Sequence, residues 1–113
     1  MPYEPDAGDI VWVDLDPRVG REQGGRRPVV VVTDNAFWQT TGMVVLCPIT
    51  SKIRPFPSSV VLPDGLPIKG EILTGQIRCV DTTVRPFKFS GVHVPPETLD
   101  EIRAKLGVLL GIL

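Results

Sequence analysis

Four arginines, Arg18, Arg21, Arg26 and Arg27, fall within residues 18–27 and are set against Glu22 alone. A guanidinium is a planar fork of N–H donors that holds phosphate or carboxylate oxygens two at a time, so a cluster of them makes a surface for anions. Scattered, solvated arginines are the ordinary alternative. The density of this group argues against it, whereas Lys52, Arg54, Lys69, Arg78, Arg85 and Lys88 are spread widely enough to be read that way. Residues 1–17 hold Glu4, Asp6, Asp9, Asp14 and Asp16 with no base, so the net charge of −1 conceals an uneven distribution. Bulk electrostatics would not coat a nucleic acid with such a protein, but a local basic patch can contact one.

Counting removes most catalytic designs. His93 is the sole histidine and lies between Val92 and Val94; it reads as a structural or surface residue, and a two-histidine acid–base pair is excluded. Neither a Ser/His/Asp nor a Cys/His set has identifiable partners. Asp14 and Asp16 sit two apart where a strand meets Pro17, a spacing common in turns, so no metal or other cofactor is expected there. Cys47, in the apolar run from Met43 to Pro48, and Cys79, after Arg78, both read as buried packing thiols rather than a disulfide.

The elements that must position the arginine cluster are short and β-rich. Ile10 to Leu15 alternates in a way that buries both faces of a strand, and Pro17 stops it. Asp16 to Arg27 follows as a long exposed loop. Pro28 to Thr33, with its four valines, and Met43 to Ile49 read as central strands, with Asp34 to Gly42 as a turn region between them. Further short strands are predicted at Ser59 to Leu62, Glu71 to Thr74, Gln76 to Val80 and Lys88 to Val92, and many short strands imply a barrel or sandwich. One helix is predicted, from Pro96 to Leu110: prolines suit its start, Glu97 and Asp100 its first turn, and Glu101 precedes Lys105 by four. Leu99, Ile102 and Leu106 make its apolar stripe. Val108, Leu109, Leu110, Ile112 and Leu113 then leave no polar face, so either the barrel or a second copy must cover that end. A single domain over residues 1–113 accounts for the length. Neither a signal peptide nor a membrane-spanning stretch is read, and the cytoplasm is the expected location.

Several runs together are identifiable. Gly8-Asp9-Ile10-Val11-Trp12-Val13-Asp14 leads to Asp16-Pro17; Glu22-Gln23-Gly24-Gly25 is followed by Arg27-Pro28-Val29; then come Cys47-Pro48-Ile49-Thr50-Ser51 and Gln76-Ile77-Arg78 with Val80-Asp81. In order, and over nearly the whole chain, these resemble the MazF/PemK family of toxin endoribonucleases. The resemblance implies a mainly β fold, an SH3-like barrel of the PemK/CcdB kind with a C-terminal α-helix. It also implies a symmetric homodimer that cleaves single-stranded mRNA at short sequences without metal, held inactive by a cognate antitoxin protein. By position, Arg27 matches the family's catalytic arginine and Thr50 its catalytic threonine, with Glu22 a candidate base. Arg21, Gln23, Arg26, Ser51, Gln76 and Arg78 are expected against RNA, and Trp12, Arg21 and Arg26 against the antitoxin. Two positions depart from relatives: Arg21 stands where several carry Ser or His, and Gly75 where others carry an acid before the Gln. A base role assigned to either position therefore does not transfer.

The residue chemistry is consistent with that role, because RNA supplies its own nucleophile in the 2′-hydroxyl. The protein must hold ribose and phosphate in line, stabilise the added charge on phosphorus, and move a proton to the leaving 5′-oxygen. Arginine suits the second task and threonine can add a hydroxyl donor. Two other functions remain open on sequence alone. One is a gyrase-poisoning toxin of similar fold acting through its C-terminal helix; the other is a non-catalytic RNA-binding barrel in which Phe37 or Trp38 stacks on bases.

Overall fold

The computed structural model describes residues 2–113. The apolar runs identified above form the middle of one antiparallel sheet. Strand β1, Asp9–Asp14, pairs with β2, Arg26–Val31, from Ile10↔Val30 through Asp14↔Arg26. Its other edge takes β7, Phe87–His93. Strand β3, Met43–Thr50, pairs with β2 along one edge; along the other it takes first β6, Arg78–Asp81, and then β5, Glu71–Ile72, which is itself flanked by β4, Val60–Val61. The order is β4-β5-β3-β2-β1-β7 with β6 beside β3. The outermost strands β4 and β7 are not paired with each other, so the sheet is open and the closed barrel expected from the sequence is not formed by this ladder. With two residues each, β4 and β5 are too short to carry it round.

Side chains alternate across a strand, and here both faces are covered. On one face Ile10, Val30, Cys47, Ile49 and Ile72 pack with Ile102 and Leu106 of the C-terminal helix. On the other, Val11, Val13, Val29, Val31 and Leu46 form a second cluster edged by Tyr3, Trp38, Phe87 and Phe89. Each such side chain contributes roughly 1.5–3 kcal/mol on burial. The β1–β2 ladder contributes side chains to both clusters.

Helix α2, Pro96–Leu110, has the predicted bounds, and its stripe is seated through Ile102 and Leu106. Val108, Leu109, Leu110, Ile112 and Leu113 remain exposed, so this chain does not cover its own apolar end. Among the described residues, no helix is long and apolar enough to cross a membrane.

Three expectations are corrected. The segment read as a turn contains a helix, α1, Asn35–Thr41. It buries no residue and so has no apolar stripe to betray it, and the hydroxyls of Thr40 and Thr41 bond back to the carbonyls of Ala36 and Phe37. The segment read as two strands, Glu71 to Thr74 and Gln76 to Val80, is interrupted by a 3-10 turn at Thr74–Gln76. The break lies beside Pro48, whose carbonyl accepts the Leu73 N–H at 2.9 Å. A strand residue points its N–H and C=O to the same side, so Pro48 has no donor to continue the ladder there. Finally, Cys47 is buried as expected, and burial pushes its thiol up to about 12, but Cys79 is exposed; both are free.

Candidate RNA-cleavage site

The arginine-bearing loop, Leu15 to Gly25, is tied at its neck. The Leu15 N–H donates to Gly25 O at 2.9 Å. Asp14 accepts the Asp16 N–H at 2.9 Å, and Asp16 accepts the Gly25 N–H at 2.6 Å. The two carboxylates thus serve as turn formers. Arg85, read from sequence as solvated, clamps the same neck by donating to Asp14 O at 2.9 Å and Asp16 O at 2.8 Å. Inside the loop Gly24 packs so closely that a Cβ would lie 2.5 Å from Arg18 Cβ. Far along the chain, Gln76 reaches back: its Oε1 accepts the Gln23 N–H at 2.8 Å and its Nε2 donates to Arg21 O at 3.4 Å.

Two clefts open around this loop, and they share no lining residue. The first, of about 330 Å³, is formed by Leu15, Glu22, Gln23, Pro48, Gly75, Gln76, Ile77 and Arg78. The 3-10 turn contributes Gly75 and Gln76 to its wall. The second, of about 420 Å³, is lined by Trp12, Arg26, Arg27, Pro28, Ile49, Ser51, Pro67, Ile68 and Lys69. A neighbouring depression shares Trp12 and Arg26 and adds Asp14, Pro86, Phe87 and Lys88. The sequence-proposed residues are therefore divided. Glu22, Gln23, Gln76 and Arg78 line one cleft, and Trp12, Arg26, Arg27 and Ser51 the other. Arg21 is exposed on the loop between them. Lys69 and Lys88 join the basic lining although sequence reading left them as solvated; only the fold brings them beside Arg26.

Arg27 and Thr50 lie just beyond the last β2–β3 pair, and Thr50 lines neither cleft. Pairing of β2 with β3 ends at Val29↔Pro48. Continued by two residues, that register would set Arg27 opposite Thr50 and on the same face. The Arg27 guanidinium is half-buried, with Nε donating to Gly24 O at 2.9 Å and Nη1 to Ile49 O at 3.3 Å. Burial, with the nearby charge of Arg18 adding to it, holds Arg27 below the ordinary arginine pKa. A cation so placed gains more from an incoming phosphate than a solvated one does, because much of its hydration is already lost. Thr50 Oγ1 accepts the Lys52 N–H at 3.2 Å. Its own hydroxyl proton has no acceptor among the described residues, so it is free to donate outward.

Other candidates are placed elsewhere. His93 lies at the far end of β1, opposite Asp9, with its Nδ1 2.5 Å from the Asp9 carboxylate. Asp9 also accepts the Tyr3 hydroxyl, and Tyr3 stacks on Phe89 at 4.6 Å. Trp38 is half-buried and donates its indole N–H to Thr82 at 3.1 Å, so it is not an open platform for a base.

Residues 6–110 match the PemK-like, MazF-like toxin family of type II toxin–antitoxin systems. The endoribonuclease toxin MazF of Escherichia coli strain K12 is 39% identical over 109 residues, which covers 96% of each chain. The crystal structure of MazF from Deinococcus radiodurans has a TM-score of 0.90 at 40% identity, covering 97% of this chain and 99% of that one. A MazE–MazF crystal structure from the same organism has a TM-score of 0.85 at 35% identity, covering 99% of this chain and 100% of the matched chain. This chain belongs to the PemK-like, MazF-like family of toxins.

Proposed function

We propose that this protein is an endoribonuclease toxin that cleaves single-stranded mRNA at short sequences, without metal, by attack of the RNA's own 2′-hydroxyl. The 2′-oxygen bonds to phosphorus, the bond to the 5′-oxygen breaks, and the 2′-proton is removed as a proton is supplied to the leaving oxygen. The products are a 2′,3′-cyclic phosphate and a 5′-hydroxyl. The observation that carries this reading is Arg27: a half-buried guanidinium fixed by two backbone carbonyls, one of them that of Ile49, the residue before Thr50. Arg27 stabilises the charge that develops on the phosphorane, and Thr50 donates a hydrogen bond to the same group. Arg26, Ser51 and Lys69 hold the flanking phosphates in the second cleft. Glu22, Gln23, Gln76 and Arg78 offer the first cleft to a neighbouring nucleotide, with Glu22 the carboxylate available as base.

The apolar end of α2 suits a homodimer, and the exposed arginines with Trp12 suit an acidic antitoxin segment that competes with RNA. The MazF matched from Deinococcus radiodurans was solved together with MazE, which supports a protein partner of this kind. The test is incubation of the purified protein, with chelator, on end-labelled RNA, which yields discrete fragments ending in cyclic phosphate. A gel shift without cleavage would instead make the protein an RNA-binding module, and inhibition of gyrase supercoiling a gyrase poison.

A further inference from the structure

Glu71 is a carboxylate at 1% exposure, on a two-residue strand whose other member is Ile72, and no ion pair reaches it among the described residues. Burying an ionised group is costly unless hydrogen bonds replace its water. A valine would fill the same ladder position without that cost, so the carboxylate's partners indicate what it does. Its Oε1 accepts the Arg54 N–H at 2.7 Å and its Oε2 accepts the Ser59 hydroxyl. Burial raises its pKa, but the bonds from the Ser59 hydroxyl and the Arg54 N–H, with the nearby Phe56 N–H that donates to Ser59 Oγ, outweigh this and hold it below the ordinary glutamate value. Both oxygens thus point into the turn between β3 and β4, whose residues 51–58 are all exposed.

That turn begins at Thr50, and Glu71 is directly opposite Thr50 in the β3–β5 ladder. Gly70 keeps the contact tight, since a Cβ there would lie 2.6 Å from Thr50 O. The turn is therefore held from two sides. Thr50 Oγ1 accepts the N–H of Lys52, and Glu71 accepts the N–H of Arg54. Lys105 of α2 adds a bond to Ser59 O at 2.6 Å, which fixes the far end. If the Arg54 tether were lost, the Lys52 N–H that holds Thr50 Oγ1 would drift with the turn.

We infer that Glu71 is a positioning residue for the cleavage reaction: its buried carboxylate pegs the 51–59 turn so that the Thr50 hydroxyl, Lys52 and Arg54 meet RNA in one fixed arrangement. This rests on the endoribonuclease reading above. Glu71 does not touch the reacting atoms. Misplacing a donor by about 1 Å can cost on the order of 100-fold in rate, so the effect belongs in the chemical step as well as in binding.

The experiment compares wild type, E71V, E71Q and T50A in single-turnover cleavage at saturating RNA, in affinity for 2′-O-methyl RNA, and in hydrogen exchange of the Arg54 amide. E71V is expected to cleave about tenfold or more slowly at saturation, to bind several-fold more weakly, and to exchange the Arg54 amide faster. E71Q keeps an oxygen for Arg54 and returns to within about threefold of wild type on all three readouts. A folded E71V cleaving at the wild-type rate at saturation would overturn the inference. So would an E71Q as slow as E71V, which would assign the effect to charge. If E71V does not fold, S59A removes one bond to the carboxylate while leaving the packing; a slowed rate supports the inference and an unchanged rate overturns it. Failure of the underlying reading is separately visible: wild type would not cut, or T50A would cut as fast as wild type, while Arg54 exchange would still report the tether.

Discussion

The side chain of Gln76 is bonded to the backbone of Gln23 at 2.8 Å across 53 residues of sequence, and so joins the 3-10 turn to the arginine loop. Beyond the neck, this latch and the Arg27 bond to Gly24 O hold the loop in place. Gln76→Ala should free residues 21–23 and weaken RNA binding several-fold. The loop is outside the apolar core, so the loss in stability should be only about 1 kcal/mol. Fluorescence anisotropy with an uncleavable RNA and a thermal melt check both; unchanged affinity would place the loop's restraint elsewhere.

Arg27→Ala should abolish cleavage, and Thr50→Ala should slow it by about 100-fold or more, the scale for losing one donor to a transition state. RNA binding should survive both changes, because Arg26, Ser51 and Lys69 remain in the cleft. Single-turnover kinetics beside affinity measurements separate the two effects. A folded variant of either residue cutting at more than about a tenth of the wild-type rate contradicts the role given to it.

Arg21 and Arg26 are exposed, and the proposed function sets them against RNA phosphates. RNA affinity should fall with salt, with a slope of about −0.7 per neutralised phosphate on a single strand. Replacing both arginines by Gln should flatten that slope and weaken binding of an acidic antitoxin peptide as well. Titrations at several salt concentrations decide the matter: unchanged affinity for both ligands would mean the two arginines are merely solvated.

The strand runs and the final helix were legible because periodicity reports burial, and β1, β2, β3 and α2 bury continuous apolar sets. The motifs around Arg27 and Thr50 were legible through the family resemblance rather than through periodicity, and they fall at the ends of those strands. What stayed hidden depends on contacts between distant residues. Arg85 looks like any surface arginine until its bonds to Asp14 and Asp16 are seen, about 70 positions away. Glu71 enters the sequence reading only as the first residue of a short strand, yet it is buried and its carboxylate holds the Arg54 N–H of the 51–59 turn. Local sequence carries no sign of either.

The exposed end of α2 implies assembly. Leu109 and Leu110, at 47% and 60% exposure, lie in an apolar stretch that a second copy can cover. Wild type should sediment as a dimer at micromolar concentration, and Leu109→Lys with Leu110→Lys should shift it toward monomer. A wild type that stays monomeric would show that the surface serves some other contact.

Acid should act through Glu71. Its carboxyl is depressed in the folded protein, because its hydrogen bonds outweigh the burial that alone would raise it. A depressed carboxyl contributes stability that is fully present above the ordinary glutamate value and is lost as pH falls through the folded value. Thermal midpoints taken from about pH 6 down to about pH 3 should therefore drop more steeply for wild type than for Glu71→Gln. Parallel curves would mean that protonation of Glu71 costs the fold nothing.

The arginine loop leaves and rejoins the sheet on adjacent strands, β1 and β2, whose residues are held from both faces. Its base is thus rigid while most of its own length is exposed. Leu15 is buried in the second cluster, so changes confined to residues 16–25 leave both packed clusters in place. In evolutionary terms, if the loop reads RNA as proposed, target preference is free to diverge among descendants of one stable frame. In engineering terms, the span between Leu15 and Gly25 is a cassette: a foreign loop that keeps Leu15 in the core and the Gly25-to-Leu15 closure could be exchanged there without redesigning the core.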